Sequence, residues 1–198
     1  MHPELKEISQ HILEVGIGVL SQAQRNSLYC SYDSRIDEGV FGVLQAAHAA
    51  ELIIKAAIAD QHPLLIFSNL PKSTSVDGSL LSLNNVFESA KTIQYFDLPE
   101  KLWAATGYKI ENLSSFHSFG KLRNCIQHFA TPDKDIRTAT SEFIYQVIDP
   151  ILEHFWDSYA VEYVDLENYE DDVFEILLSR GIKVRYPESM SKSAELVY

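Results

Sequence analysis

Cysteine is scarce in this chain. Two occur among 198 residues, Cys30 and Cys125. They form neither a metal-type pair nor a disulfide framework, so the expectation is two reduced thiols in a cytosolic protein. No apolar run has the look of a membrane span. The start, Met1-His2-Pro3-Glu4-Leu5-Lys6-Glu7, has no basic stretch leading into an apolar one, so no secretory signal is expected. Internal repeats and low-complexity tracts are also lacking. Basic residues are in the minority, 16 against 28 acidic, and the net charge of −12 weighs against a nucleic-acid partner of any kind.

The acidity is unevenly spread. Residues 138–179 hold eleven Asp and Glu and no Lys or Arg, whereas residues 1–137 hold 12 basic and 15 acidic side chains. The acidic segment reads as a solvated face, with mimicry of nucleic acid or capture of a basic partner as its alternatives. What remains is ordinary globular composition, 46% hydrophobic and 22% charged, in a length that suits one domain.

Most of the sequence has helical periodicity. Apolar residues at Leu5, Ile8, Ile12, Val15, Val19 and Leu20 predict a helix from Glu4 to about Asn26. The run from Val43 to Ala59, apolar almost all round, predicts a central buried helix over Asp37–Asp60. Residues 61–84, broken by Pro63, Pro71, Gly78 and serines, read as an irregular insertion. Within it Leu64-Leu65-Ile66-Phe67 reads as packed loop, because no partner strand is evident. A short helix from Asn84 or Asn85 to Phe96, another after Pro99, and a motif helix over Asn112–Phe129 follow. Thr131-Pro132-Asp133 looks like the start of a long helix, with Thr131 as N-cap. Its stripe runs from Phe143 to Tyr159, and Asp149-Pro150 predicts a kink or a restart. A last helix near Tyr169–Arg180 ends at Gly181, and residues 187–198 are expected to fray.

The chemistry concentrates in Leu122-Arg123-Asn124-Cys125-Ile126-Gln127-His128-Phe129. On a helical wheel Phe119, Leu122, Ile126 and Phe129 fall within about 80°. Asn124 lies nearly opposite, with Arg123 about 100° to one side and His128 about 40° to the other. Arginine offers a planar fork of donors to a phosphate, and histidine moves protons near neutral pH. A phosphodiesterase working without a metal needs both. Other candidates are weaker. His48 reads as packed, His62 before Pro63 as loop structure, and Cys125 lacks a base. His117 shares a face with His128 three turns away, about 16 Å, too far for a common metal.

Arg-Asn-x-x-x-His on a helix of an all-α domain resembles the HEPN family, many of whose members are ribonucleases with an Arg-x4–6-His motif. The resemblance spans roughly residues 5–160. It implies an all-α, HEPN-like helical bundle over 1–160, with the irregular insertion inside it and an acidic C-terminal helix and tail, 161–198, packed on the same domain. It further implies a homodimer that cleaves RNA at a shared cleft without metal or cofactor, as a prokaryotic stress, toxin or antiviral effector. His128 would be the general base or acid, Arg123 would neutralise the phosphoryl oxygens, and Asn124 would orient His128 or the phosphate by hydrogen bonding. Glu51, with Lys55 behind it, would hold Arg123 or His128 from the central helix, unless Glu51 simply pairs with Lys55. No DNA and no membrane partner is implied; a cognate inhibitor or a nucleotidyltransferase partner is. Some family toxins continue as His-x-Tyr, the tyrosine being the site of nucleotidyl modification. Here Phe129-Ala130 follows His128, which counts against that form of control.

Two other readings compete. A non-catalytic HEPN module would bind nucleotide or protein, which the net charge of −12 favours. A helical interaction protein would use the Phe143–Tyr159 stripe as a partner surface.

Overall fold

The computed structural model describes residues 3–29, 38–73, 80–132, 135–164, 170–195 and 197. The fold is all-α. Its helices are α1 (Ile8–Leu28), α2 (Gly39–Gln61), α3 (Leu83–Ser89), α4 (Leu98–Thr106), α5 (Leu113–His128), α6 (Ile136–Phe143), α7 (Asp149–Trp156), α8 (Glu170–Ser179) and α9 (Ser191–Glu195). Two very short strands, β1 (Phe67–Asn69) and β2 (Lys91–Thr92), pair antiparallel.

Helix α2 is the axis. Ala46, Ala49, Ala50, Ile53, Ile54, Ala56, Ala57 and Ile58 are all buried, and α1, α4, α5, α6 and α7 pack around them. Its small alanines let neighbours approach closely, while the isoleucines fill the gaps between them. By length and composition α2 could cross a membrane, contrary to the expectation from the sequence, but two thirds of that window (67%) is buried inside the protein. The Phe143–Tyr159 stripe is core too. Phe143, Ile144, Val147, Ile148, Ile151 and Leu152 are buried and the aromatics after them pack on the same cluster, which removes the stripe as a partner surface.

The C-terminus of α1 leaves carbonyls that no helical N–H can reach. Two arginines from distant elements supply the donors. Arg137 Nη1 donates to the Asn26 and Tyr29 carbonyls, both at 2.6 Å, and Arg180 Nη2 donates to the Ser27 carbonyl at 3.0 Å. Both cations also oppose the negative end of the helix dipole.

Several boundaries differ from expectation. Ile66 and Phe67 do have a partner: Ile93 N–H donates to the Ile66 carbonyl at 2.9 Å, and Phe67 pairs with Thr92. That partner strand is two polar residues long, too short for a period-two signal. The helix expected to reach Phe96 stops at Ser89, because the chain must turn into β2 and then into a 3-10 turn over Tyr95–Asp97. Asp135, not Thr131, caps α6 by accepting from Thr138 N–H at 3.0 Å; Asp133 lies outside the described residues. At Asp149-Pro150 the helix runs on through a π turn over Ile144–Ile148, which absorbs the missing proline donor. Gly181 does close α8, with φ of 71°. Within the segment expected to fray, α9 forms over Ser191–Glu195 and its Ala194 is buried against the core. Cys30, Asp37 and Tyr169 lie outside the described residues.

A buried polar network ties α1 to the C-terminal half. Gln24 Nε2 donates to the Ala160 carbonyl at 2.9 Å, while its Oε1 accepts from Tyr145 Oη at 2.6 Å. Asp149, 1% exposed, accepts from Ala160 N–H at 2.7 Å. Burial outweighs that bond and the nearby Arg185, and pushes the Asp149 carboxyl up from 3.8 to about 6. The folded state therefore holds this proton more tightly than the unfolded chain does. The stabilisation it gives is complete below pH 4 and is lost as pH rises through about 6. Asp149→Asn can accept the same N–H and cannot titrate. Denaturant melts of both proteins at pH 4 and pH 7 should show wild type losing on the order of 3 kcal/mol relative to the variant. A stability gap independent of pH would contradict this assignment.

Candidate functional site

Asn112 starts α5 by accepting the Ser115 N–H at 3.3 Å, and the helix runs to His128. The buried face is Phe116, Phe119 and Gly120. Phe119 stacks on Phe143 of α6, with ring centroids 3.9 Å apart. Phe116 stacks on Tyr95 at 4.4 Å, and the Tyr95 hydroxyl donates to the Phe116 carbonyl at 3.3 Å. The anchoring arc expected from the sequence is thus rotated. Leu122 and Ile126 are only half-buried, and Phe129 is 86% exposed because the helix has already ended, at φ −131° and ψ −75°.

Gly120 makes this docking possible. A Cβ there would stand 2.5 Å from Tyr95 Cε1 and 3.0 Å from two carbons of the Phe96 ring. The Tyr95 ring cannot swing away, being buried and stacked on Phe116.

Arg123 lies one turn beyond Gly120, half-buried, with Nη1 donating to Asn124 Oδ1 at 2.9 Å. The motif arginine and asparagine are therefore locked to each other. The His128 imidazole is exposed at the C-terminal end of the helix and hydrogen-bonds to no other side chain among the described residues. From α2, Glu51 Oε1 accepts from Lys55 Nζ at 2.6 Å, and Lys55 Nζ also donates to Thr92 Oγ1 at 3.1 Å. Lys55 is 6% exposed, so this pair is an internal one that also fastens β2 to α2. Glu51 hydrogen-bonds to Lys55 rather than to Arg123 or His128. It is still in the motif's neighbourhood, because Arg123 and Glu51 both act on the Tyr95 hydroxyl. Burial raises that phenol far above its usual range, Arg123 pulls it down and Glu51 pushes it up, so Tyr95 stays protonated.

Sequence reasoning missed Tyr95, Thr92 and Gly120 as parts of this site, since none carries a motif and each matters only through a neighbour on another element. His48 is exposed rather than packed, beside the groove between α1 and α2. His62 is structural, its Nδ1 accepting from Leu64 N–H at 3.2 Å. Cys125 is a free thiol whose Sγ faces the Ala130 carbonyl at 3.5 Å. Among the described residues, no three His, Cys, Asp or Glu side chains converge as a metal site would require.

The chain matches no family model, no curated protein and no solved structure.

Gly120→Ala should destabilise the protein by about 1–3 kcal/mol, the range for overpacking a closed core position. Urea unfolding measures it, and an unchanged midpoint would show that Tyr95 and Phe96 give way freely.

Proposed function

We propose that this protein is a HEPN-type endoribonuclease, acting without a metal as a homodimer. The observation that carries the reading is the division of labour at the end of α5. Arg123 is half-buried and held by Asn124, while His128, on the same helix, is exposed with its imidazole making no hydrogen bond to another side chain among the described residues. A held guanidinium suits a fixed phosphate, and a free imidazole suits proton transfer.

In the proposed reaction the ribose 2′-oxygen attacks the adjacent phosphorus. One His128 takes the 2′-OH proton as the O2′–P bond forms. The P–O5′ bond breaks, and a solvent water protonates the leaving oxygen. Arg123 neutralises charge building on the non-bridging oxygens, and Asn124 keeps its fork aimed at them. Glu51 and Lys55 fix the α2 wall behind Tyr95 and so position α5. The products are a 2′,3′-cyclic phosphate and a 5′-hydroxyl, and the need for a 2′-OH selects RNA over DNA. Exposed Phe129 beside half-buried Leu122 and Ile126 gives a second copy an apolar edge next to the motif. Such an enzyme suits a stress, toxin or antiviral effector held in check by a cognate inhibitor.

The net charge of −12 supports a second reading, a HEPN module that binds nucleotide or protein without cutting. Cleavage of labelled RNA in EDTA separates the two. The enzyme reading expects cleavage with cyclic-phosphate ends, reduced at least a hundredfold by Arg123→Ala or His128→Ala. Intact RNA with wild type, or undiminished cleavage by both variants, would remove it.

A further inference from the structure

We propose that the face of α5 leading away from His128 is a track for single-stranded RNA, ending in a base-stacking cleft at Trp103. The inference rests on the ribonuclease reading only for the choice of RNA as the strand.

Helical geometry sets the line. Leu113, His117, Asn124 and His128 fall within about 60° of one another on the wheel, so they form one stripe about 22 Å long, the reach of a few extended nucleotides. At the far end Pro99, Glu100, Trp103, Lys109, Ile110 and Leu113 line an open cleft of about 360 Å³. That is within the size range of small-molecule sites. Trp103 is 48% exposed there, with Lys109 Nζ 5.7 Å from its ring centre. Midway, Phe96 is 42% exposed although it lies on Gly120, and its ring centre is 6.0 Å from that of His117. Exposed aromatic faces spaced between cations are what a sequence-tolerant single-strand site requires.

Charge agrees with the geometry. Residues 101–132 carry Lys101, Lys109, Lys121 and Arg123 against Glu111 alone, +3 in a chain of −12. The acidic segment that begins in α6 meets the opposite side of α5, where Glu142 shares a narrow cleft with Ser115, Ser118 and Leu122. Glu142 therefore lies behind the helix, while Lys109 lines the Trp103 cleft and Lys121 falls beside the stripe on the wheel. Glu100 on the rim of the Trp103 cleft repels phosphate, which assigns a base to the cleft and the phosphates to Lys109 and Lys121. Base stacking would use both the exposed tryptophan face and the lysine beside it.

The test uses His128→Ala protein, so that RNA stays whole, with Trp156→Phe added to leave Trp103 as the single tryptophan. An eight-nucleotide oligouridylate should quench the Trp103 emission saturably. Trp103→Ala, followed by a labelled octamer, should bind at least tenfold more weakly, with Trp103→Phe in between, as expected for loss of one stacked base. Lys109→Ala and Lys121→Ala should each reduce the slope of log affinity against log salt by about one. Emission unmoved by the octamer, or equal affinity of Trp103→Ala and its parent at unchanged thermal stability, would overturn the track even if the wild type cleaves RNA. Quenching by a wild-type-fold protein that never cleaves RNA would support the track and remove the nuclease reading alone.

Discussion

The need to keep α2 out of water governs the rest of the molecule. A helix this apolar has few solvent-tolerant faces, so other helices must surround it, and burial of its isoleucines supplies about 1.5–3 kcal/mol each before conformational entropy is charged against it. The charged residues near its middle, Glu51 and Lys55, can enter that environment only as a pair, and the lysine needs Thr92 as a further acceptor. This is why a strand of two residues is attached where it is. It also brings Tyr95 under α5, where Gly120 leaves room for it. The position of Arg123 is thus a late consequence of how α2 is covered.

The same constraint explains the split between the two motif side chains. Arg123 lies on the Tyr95 side of α5 and is drawn partly into the protein. His128 belongs to the last turn, where the helix leaves the core and Phe129 projects outward. On the wheel the two side chains project about 140° apart. In the proposed enzyme a second copy brings an Arg123 opposite a His128, which makes association part of the chemistry.

The sequence made the helical character plain because α1, α2, α5 and the Phe143–Tyr159 stripe have long apolar repeats that only a 3.6 period fits. It also exposed Arg123, Asn124 and His128, whose spacing is local. It was silent on contacts made across elements: Tyr95 on Phe116, Lys55 on Thr92, the arginine caps at the end of α1. The wheel of α5 misjudged the buried face because Phe129 was counted as helical and Gly120, which has no side chain, was not counted as a contact. The strand pair was invisible because two polar residues carry no periodicity. The tail was taken for frayed because its anchor is one alanine, Ala194, whose burial shows only in the assembled core.

In the proposed enzyme one cleft is completed by two chains. The direct measurement is RNA cleavage by a refolded mixture of Arg123→Ala and His128→Ala proteins, each inactive alone. Mixed dimers keep one arginine and one histidine across the shared cleft, so activity should return on mixing. A mixture as inactive as its components, with mixed dimers demonstrated by mass spectrometry, would contradict it.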